Sequence, residues 1–149
     1  PKYRHLEWSV PYSPGTLVAK AYDGSELVAT DTVSTTGPSA KIRLRTDRTT
    51  LAADGEDVTM VMVDVLDSKG RVVPTASNLV KFAISGPAHI DGVGNGDPSD
   101  HEPDKASQRM AFNGHCLAVI QSSEGEKGAI VLKASSPGLA GDELTLKSE

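Results

Sequence analysis

The stretch DGVGNGDPSDHEPDKASQRMAFNGHC, Asp91 to Cys116, gathers side chains that could do chemistry. It holds five carboxylates, two histidines, four glycines, two asparagines and the only cysteine. Paired carboxylates act as general acid and base when an apolar pocket raises one pKa. Asp97, Asp100, Glu102 and Asp104 supply the carboxyls, but the surrounding sequence offers no such pocket, and acids this dense read as a solvated surface. Counted from Asp91, Asn95 stands fifth, Gly96 sixth and Glu102 twelfth, as in a calcium-binding EF-hand loop. Val93 in third place, Pro98 in eighth and the lack of flanking helical patterns break that match, which leaves only a calcium site of another kind as an alternative. Zinc needs three or four placed ligands. His89, His101 and His115 are spread by 12 and 14 residues, and neighbours on a strand, such as His115 and Cys116, point to opposite faces. No motif supports a Ser/His/Asp or Cys/His nucleophile. The expected catalytic residues, metals and cofactors are therefore none.

A connection this long is more often functional or interfacial than a short turn. Gly92, Gly94, Gly96 and Gly114 allow backbone shapes closed to other residues. Arg109 can pair with an acid inside the stretch or across a contact with another domain. The plain alternative is a self-contained loop pinned by Asp–Arg and Asn–backbone bonds.

The elements that must position this stretch read as strands and turns throughout. TLVAKAY and ELVATDTV flank DGS, a hairpin signal in which Asp23-Gly24 takes the positive φ angles of a tight turn. HLEWSVPY before them is a further extended run, so residues 1–36 offer three strands. Three strands with one Trp make a poor core, and this part reads as a few strands of a second, truncated β-sandwich. Trp8 is expected in its core. TTGPSA holds the linker, 37–40. From 41 to 149 a new series begins. Ile42 and Leu44 alternate with Lys41, Arg43 and Arg45, VTMVMVDVL is apolar enough for a central strand, and RVVPTASN carries Pro74, which suits an edge or a bulge rather than a sheet centre. In LVKFAIS the set Val80, Phe82 and Ile84 faces inward. HCLAVIQSS, GAIVLKASS and ELTLKS finish about seven strands, with Cys116 a small buried hydrophobe. The fold class is all-β, an immunoglobulin-like antiparallel β-sandwich without the Cys–Trp–Cys pattern of antibody domains.

The chain has 149 residues with a formal charge of −5 and no basic patch, which argues against nucleic acid as a partner. No apolar run approaches the roughly 18 residues of a membrane helix, so no membrane partner is expected. The start has no signal-peptide apolar region. One cysteine excludes an intrachain disulfide and a multi-cysteine zinc site.

Two segments carry a resemblance. WSVPYSPGTLVAKAYDGSELVATDTVSTTGPSAKIRL resembles part of the C-terminal region of family 2 glycoside hydrolases of the β-galactosidase kind. DRTTLAADGEDVTMVMVDVLDSKGRVVPTASNLVKFAISGPAHIDGVGNGDPSDHEPDKASQRMAFNG resembles their last immunoglobulin-like module, with GNGDP, HEP and the AFNG element as pointers. Its first half also resembles the immunoglobulin-like domains of bacterial adhesins. The resemblance implies a parent enzyme, periplasmic or secreted in a bacterium, that hydrolyses terminal β-galactosides with two glutamates on an upstream TIM barrel. It implies that this stretch is not itself an enzyme. Its partners would be the other domains of the parent glycosidase, with carbohydrate as a second class and self-association through the N-terminal strands as a third. Asn95, Asp97, His101, Glu102, Arg109 and Asn113 then become residues of a substrate-binding or interdomain loop at the active-site rim. The alternatives are a carbohydrate-binding module, for which Trp8 and Tyr12 would have to share an exposed face, and an adhesin-type surface stalk.

Overall fold

Alternating apolar residues set the strands, and the computed structural model describes residues 6–149. Among these residues there are eleven strands and no helix. The chain divides into two units, Pro1–Thr35 and Thr36–Glu149.

The first unit is a hairpin of β1 (Thr16–Asp23) and β2 (Glu26–Ser34). The turn falls one residue later than expected. Gly24 has φ 59° and begins a two-residue Gly24-Ser25 loop, since Asp23 pairs with Glu26. Gly in the first central place with Ser after it is the II′ pattern, whose twist matches the strands. The expected third strand does not form: from Leu6 to Ser13 the chain has no strand structure, and His5 lies outside the described residues. An extended run needs a partner to satisfy its backbone, and this one pairs with nothing described. Trp8, expected in a core, is 68% exposed, and both strands of the hairpin face solvent on both sides.

The second unit is a sandwich of two sheets. One has the order β3 (Ser39–Arg45), β5 (Val58–Asp67), β9 (His115–Ser122), β7 (Ala88–Gly94). The other runs β4 (Thr50–Leu51), β11 (Asp142–Ser148), β10 (Gly128–Ser135), β6 (Leu79–Ser85), β8 (Gln108–Met110). In immunoglobulin terms these are A-B-E-D against A′-G-F-C, with β8 added at the C edge. β3 begins at Ser39, inside the stretch read as a linker. β4 joins β11 in parallel, so the first strand leaves one sheet and continues in the other.

Ile42 and Leu44 point inward, as do Val61 and Val63 on β5, Val80 and Phe82 on β6, Ile120 on β9, and Ile130 and Leu132 on β10. These make one core, and Cys116 belongs to it. Burial pushes the Cys116 thiol up to about 12 against a smaller opposing pull from the Arg109 charge, so it stays protonated. A satellite cluster of Val65, Val73, Ala76 and Ala111 sits beneath residues 71–78. RVVPTASN, expected at an edge or a bulge, forms no strand and contributes the isolated bridge Leu66–Val72. Pro74 lacks a donor, and the segment is used as a lid over that cluster.

The largest departure concerns the 91–116 stretch. Asp91–Gly94 belongs to β7 and Gln108–Met110 forms β8, while His115 and Cys116 open β9 as HCLAVIQSS predicts. Glycines at 92 and 94 disguise a strand in the sequence, because they carry no β propensity. The true loop is 95–107.

Candidate functional site

β8 pairs with β6 so that Arg109 lies opposite Val80. Val80 points into the core, so Arg109 points inward as well, and its side chain is 2% exposed. A buried guanidinium must find acceptors. Nη1 donates to Asp100 Oδ2 at 2.7 Å and to the Glu102 carbonyl at 3.2 Å. Nη2 donates to the Val93 carbonyl at 2.8 Å and to the Asp104 carboxylate. Val93 is on β7, in the opposing sheet, so this one side chain ties the two sheets together at an open end of the sandwich.

The loop is assembled around that cation. Asn95 Nδ2 donates to Asp100 at 2.8 Å and to the Met110 carbonyl at 3.0 Å, and Asn95 Oδ1 accepts from the Asp97 N–H at 2.9 Å. Glu102 Oε2 accepts from the Met110 N–H at 3.1 Å. The Val93 N–H donates to the Asp104 carbonyl at 2.8 Å, so the loop backbone covers part of the free edge of β7. The Glu102 N–H, which donates to Asp100, holds the Asp100 carboxyl below its usual range; burial opposes the shift and Arg109 reinforces it. For Arg109, burial works against the charge, but its hydrogen bonds to the Asp104 and Asp100 carboxylates outweigh it and raise its pKa.

Of the six expected site residues, the structure brings Asn95, Glu102 and Arg109 into one knot with Asp100 and Asp104. Asp97 turns back on Ser99, accepting from its N–H at 2.9 Å and its hydroxyl at 2.7 Å. His101 is exposed on the loop. Asn113 stands apart, on the turn into β9. The oxygens that resembled a calcium loop are spent separately: Asp91 takes Lys105 at 2.6 Å, Asn95 Oδ1 accepts from the Asp97 N–H, and Glu102 accepts from the Met110 N–H.

The turn at Asn113-Gly114 has φ 52° and 83°, and Phe112 and His115 exchange backbone bonds across it. That is a type I′ hairpin. A Cβ on Gly114 would stand 2.5 Å from the Val73 carbonyl oxygen. Gly114→Ala is therefore expected to cost clearly more than Gly96→Ala, which meets nothing and bears only the left-handed penalty of about 1–2 kcal/mol. Urea melts of both variants check this, and equal losses would refute the close approach.

A second polar centre escaped the sequence reading. Asp64 lies on β5 between Arg43 of β3 and His115 of β9, its Cα partners in the two ladders. Its carboxylate is fully buried on the outer side of the sheet, under the side chains it holds. Oδ2 accepts from Arg43 Nη2 at 2.7 Å and Arg45 Nε at 2.8 Å, and His115 Nδ1 lies 2.9 Å from Oδ1. Burial alone would raise the Asp64 pKa, but hydrogen bonds from Arg45 and Arg43 bring it below its usual value. Asp67, at the end of β5, accepts from the Arg71 guanidinium and from the N–H groups of Gly37, Lys69 and Arg71. Those bonds, the Arg71 guanidinium first, hold its carboxyl far below the usual range. The signal for both was an acid inside an apolar strand. A groove of about 530 Å³ is lined by residues such as Gly37, Thr75, Ser77 and Asn78, with no titratable side chain.

Strand order, core and loop together define an immunoglobulin-like sandwich module whose open end is closed by an inward arginine. Residues 42–145 match the family described as glycoside hydrolase family 2 C-terminal domain 5, and the chain belongs to that family. It is 43% identical over 145 residues to Beta-galactosidase BoGH2A of Bacteroides ovatus, covering 97% of this chain and 17% of that protein. A Beta-glucuronidase of Formosa agariphila is 32% identical over 143 residues, covering 94% of this chain and 14% of its own length. Among solved structures, a glycosyl hydrolase family 2 member from Bacteroides cellulosilyticus superposes with a TM-score of 0.92 at 37% identity, over 97% of this chain and 18% of that one. The chain thus spans less than a fifth of the relatives it matches.

Proposed function

We propose that this chain is a non-catalytic accessory module of a multi-domain family 2 glycosidase acting on terminal β-galactosides, and that it packs against the parent's other domains. The observation that carries the reading is the state of the acids. A glycosidase needs one carboxyl with a raised pKa beside a second. Here the carboxyls that shift, including Asp64, Asp67, Asp91 and Asp100, all shift down. Two of the loop acids, Asp100 and Asp104, are committed to Arg109. The relative at 43% identity is named a β-galactosidase, which favours galactosides over the glucuronides of the other. The purified 149-residue chain should release no nitrophenol from nitrophenyl β-galactoside or β-glucuronide above buffer. Turnover by this chain alone would overturn the reading.

Two residues of the loop, the half-buried Asp97 and the exposed His101, are proposed to stand at the rim of the parent's active site. Alanine at either position in the parent should raise KM for an oligosaccharide while leaving kcat unchanged; unchanged KM for both would remove the rim role. A periplasmic or secreted parent belongs to the same proposal, and cell fractionation checks it.

Residues 1–36 are proposed to be the last strands of a preceding sandwich, joined by residues 37–40 to the module from 41 onward. A lone two-stranded hairpin with free edges is marginal and invites edge pairing. The 149-residue chain is therefore expected to associate with rising concentration, and deletion of residues 1–35 to abolish this without changing the main unfolding transition. Light scattering that shows a monomer at millimolar concentration would count against it.

A second reading has one observation in its favour. Trp8 and Tyr12 are 68% and 82% exposed, as stacking platforms for sugars are. Trp8 is the only tryptophan, so its emission reports directly. A saturable change with galactose or lactose would establish carbohydrate binding, and a flat titration would dismiss it.

A further inference from the structure

The two outer faces of the sandwich differ in kind. On the five-stranded sheet, Lys81, Lys133, Glu143, Thr145 and Lys147 face solvent, an ordinary hydrated surface. On the four-stranded sheet, Met60 pairs with Val119 and Met62 with Leu117 across β5 and β9. These four alternate with the core residues Val61, Val63, Ala118 and Ile120, so they point away from the core. Met60 is 59% exposed. On one side the patch runs out onto Gly92 and Gly94, the β7 partners of Val119 and Leu117, which add no side chain above the sheet. On the other side it is bounded by Arg45, the partner of Met62, and by Arg43.

The boundary is built with care. Both guanidiniums are about half exposed, yet each is fixed on the same buried carboxylate, Asp64. Two cations on one anion leave a net positive edge on a chain whose formal charge is −5. Methionine and arginine are enriched at protein interfaces and lysine is depleted; the four-stranded face carries Met60, Met62, Arg43 and Arg45 beside Lys41, and the five-stranded face carries Met110 with Lys81, Lys133 and Lys147. Methionine also adapts to an irregular partner.

We infer that the outer face of the four-stranded sheet docks another domain of the parent polypeptide, one that presents an apolar surface edged by carboxylates. The inference rests on the accessory-module reading. The occupant follows from length and charge: this chain covers only 17–18% of its relatives, so most of each polypeptide is tethered beside this face. A tethered surface meets its partner at high effective concentration, so a modest patch suffices.

Peroxide oxidation of methionine, read by peptide mass spectrometry, tests this. Met60 and Met62 should oxidise at least tenfold more slowly in the full-length parent than in the 149-residue chain. Met110, on β8 of the other sheet, should show a ratio near one. Met60→Glu in the parent should return Met62 to the rate of the isolated chain while leaving that chain's melting temperature unchanged. Equal Met60 rates in parent and isolated chain would overturn the inference. So would protection already present in a chain lacking residues 1–35 that sediments as a dimer, which would assign the face to a second copy. Failure of the accessory reading shows elsewhere, as turnover by the isolated chain.

Discussion

Arg109→Leu is expected to lower the stability of the sandwich by about 3–5 kcal/mol, the range for breaking a buried ion pair from one side. Leucine matches the stem and its burial. It leaves the Val93 and Glu102 carbonyls without a donor, and leaves Asp100 facing a dry wall. The loss falls on two structures at once, because the same guanidinium holds the 95–107 loop and joins β8 to β7. Arg109→Lys should lie between wild type and leucine: it keeps the charge but cannot reach four acceptors from one planar fork. Urea denaturation, with the slope as well as the midpoint, measures both variants. A leucine variant within 1 kcal/mol of wild type would mean that the knot is ornamental.

The second large effect is at Asp64. Asp64→Asn keeps the shape, but turns an amide N–H₂ toward a guanidinium and removes the charge that orders Arg43 and Arg45. The expected loss at pH 7 is about 1–3 kcal/mol, that of hydrogen bonds to a charged group. It is smaller than at Arg109, because both arginines are half exposed and turn to water when released. The pH dependence has a definite sign. The folded pKa of Asp64 lies below the unfolded value of about 3.9. Its contribution is therefore complete above that value and disappears as pH falls through the folded pKa. Asp67 and Asp100 are depressed too, so the whole acid limb of wild type is steep. The difference between wild type and Asp64→Asn carries Asp64 together with the groups it holds, His115 included. Below pH 5 that difference should shrink toward pH 2; a gap that widens in acid would reverse the assignment.

Much of this architecture can be read from side-chain period alone. Ile42 and Leu44, then Val80 and Phe82, lie inward as their alternation demands, and the apolar run at 58–66 is a strand with neighbours on both sides. Reading failed where a partner decides. HLEWSVPY has strand composition but finds no described strand to join. Conversely, Ala88–Gly94 is a strand despite two glycines, because β9 beside it supplies the ladder. Arg109 was legible as a partner for an acid, but not as an inward residue, since that depends on its register against Val80. Asp64 and Asp67 were hidden for the same reason. An acid in VTMVMVDVLDSK becomes intelligible only once pairing sets Arg43 beside it and brings Gly37 to the strand's end.

The switch of the first strand between sheets has a mechanical meaning. Ala40 and Ile42 exchange backbone bonds with Ala140, and Thr49 through Ala53 with Lys147 through Glu149, all in parallel sense. A tension that enters before β3 and leaves after β11 pulls these segments past each other along their length. The bonds are then loaded together in shear instead of being unzipped one by one. Force applied across the two ends of this sandwich would meet a clamp.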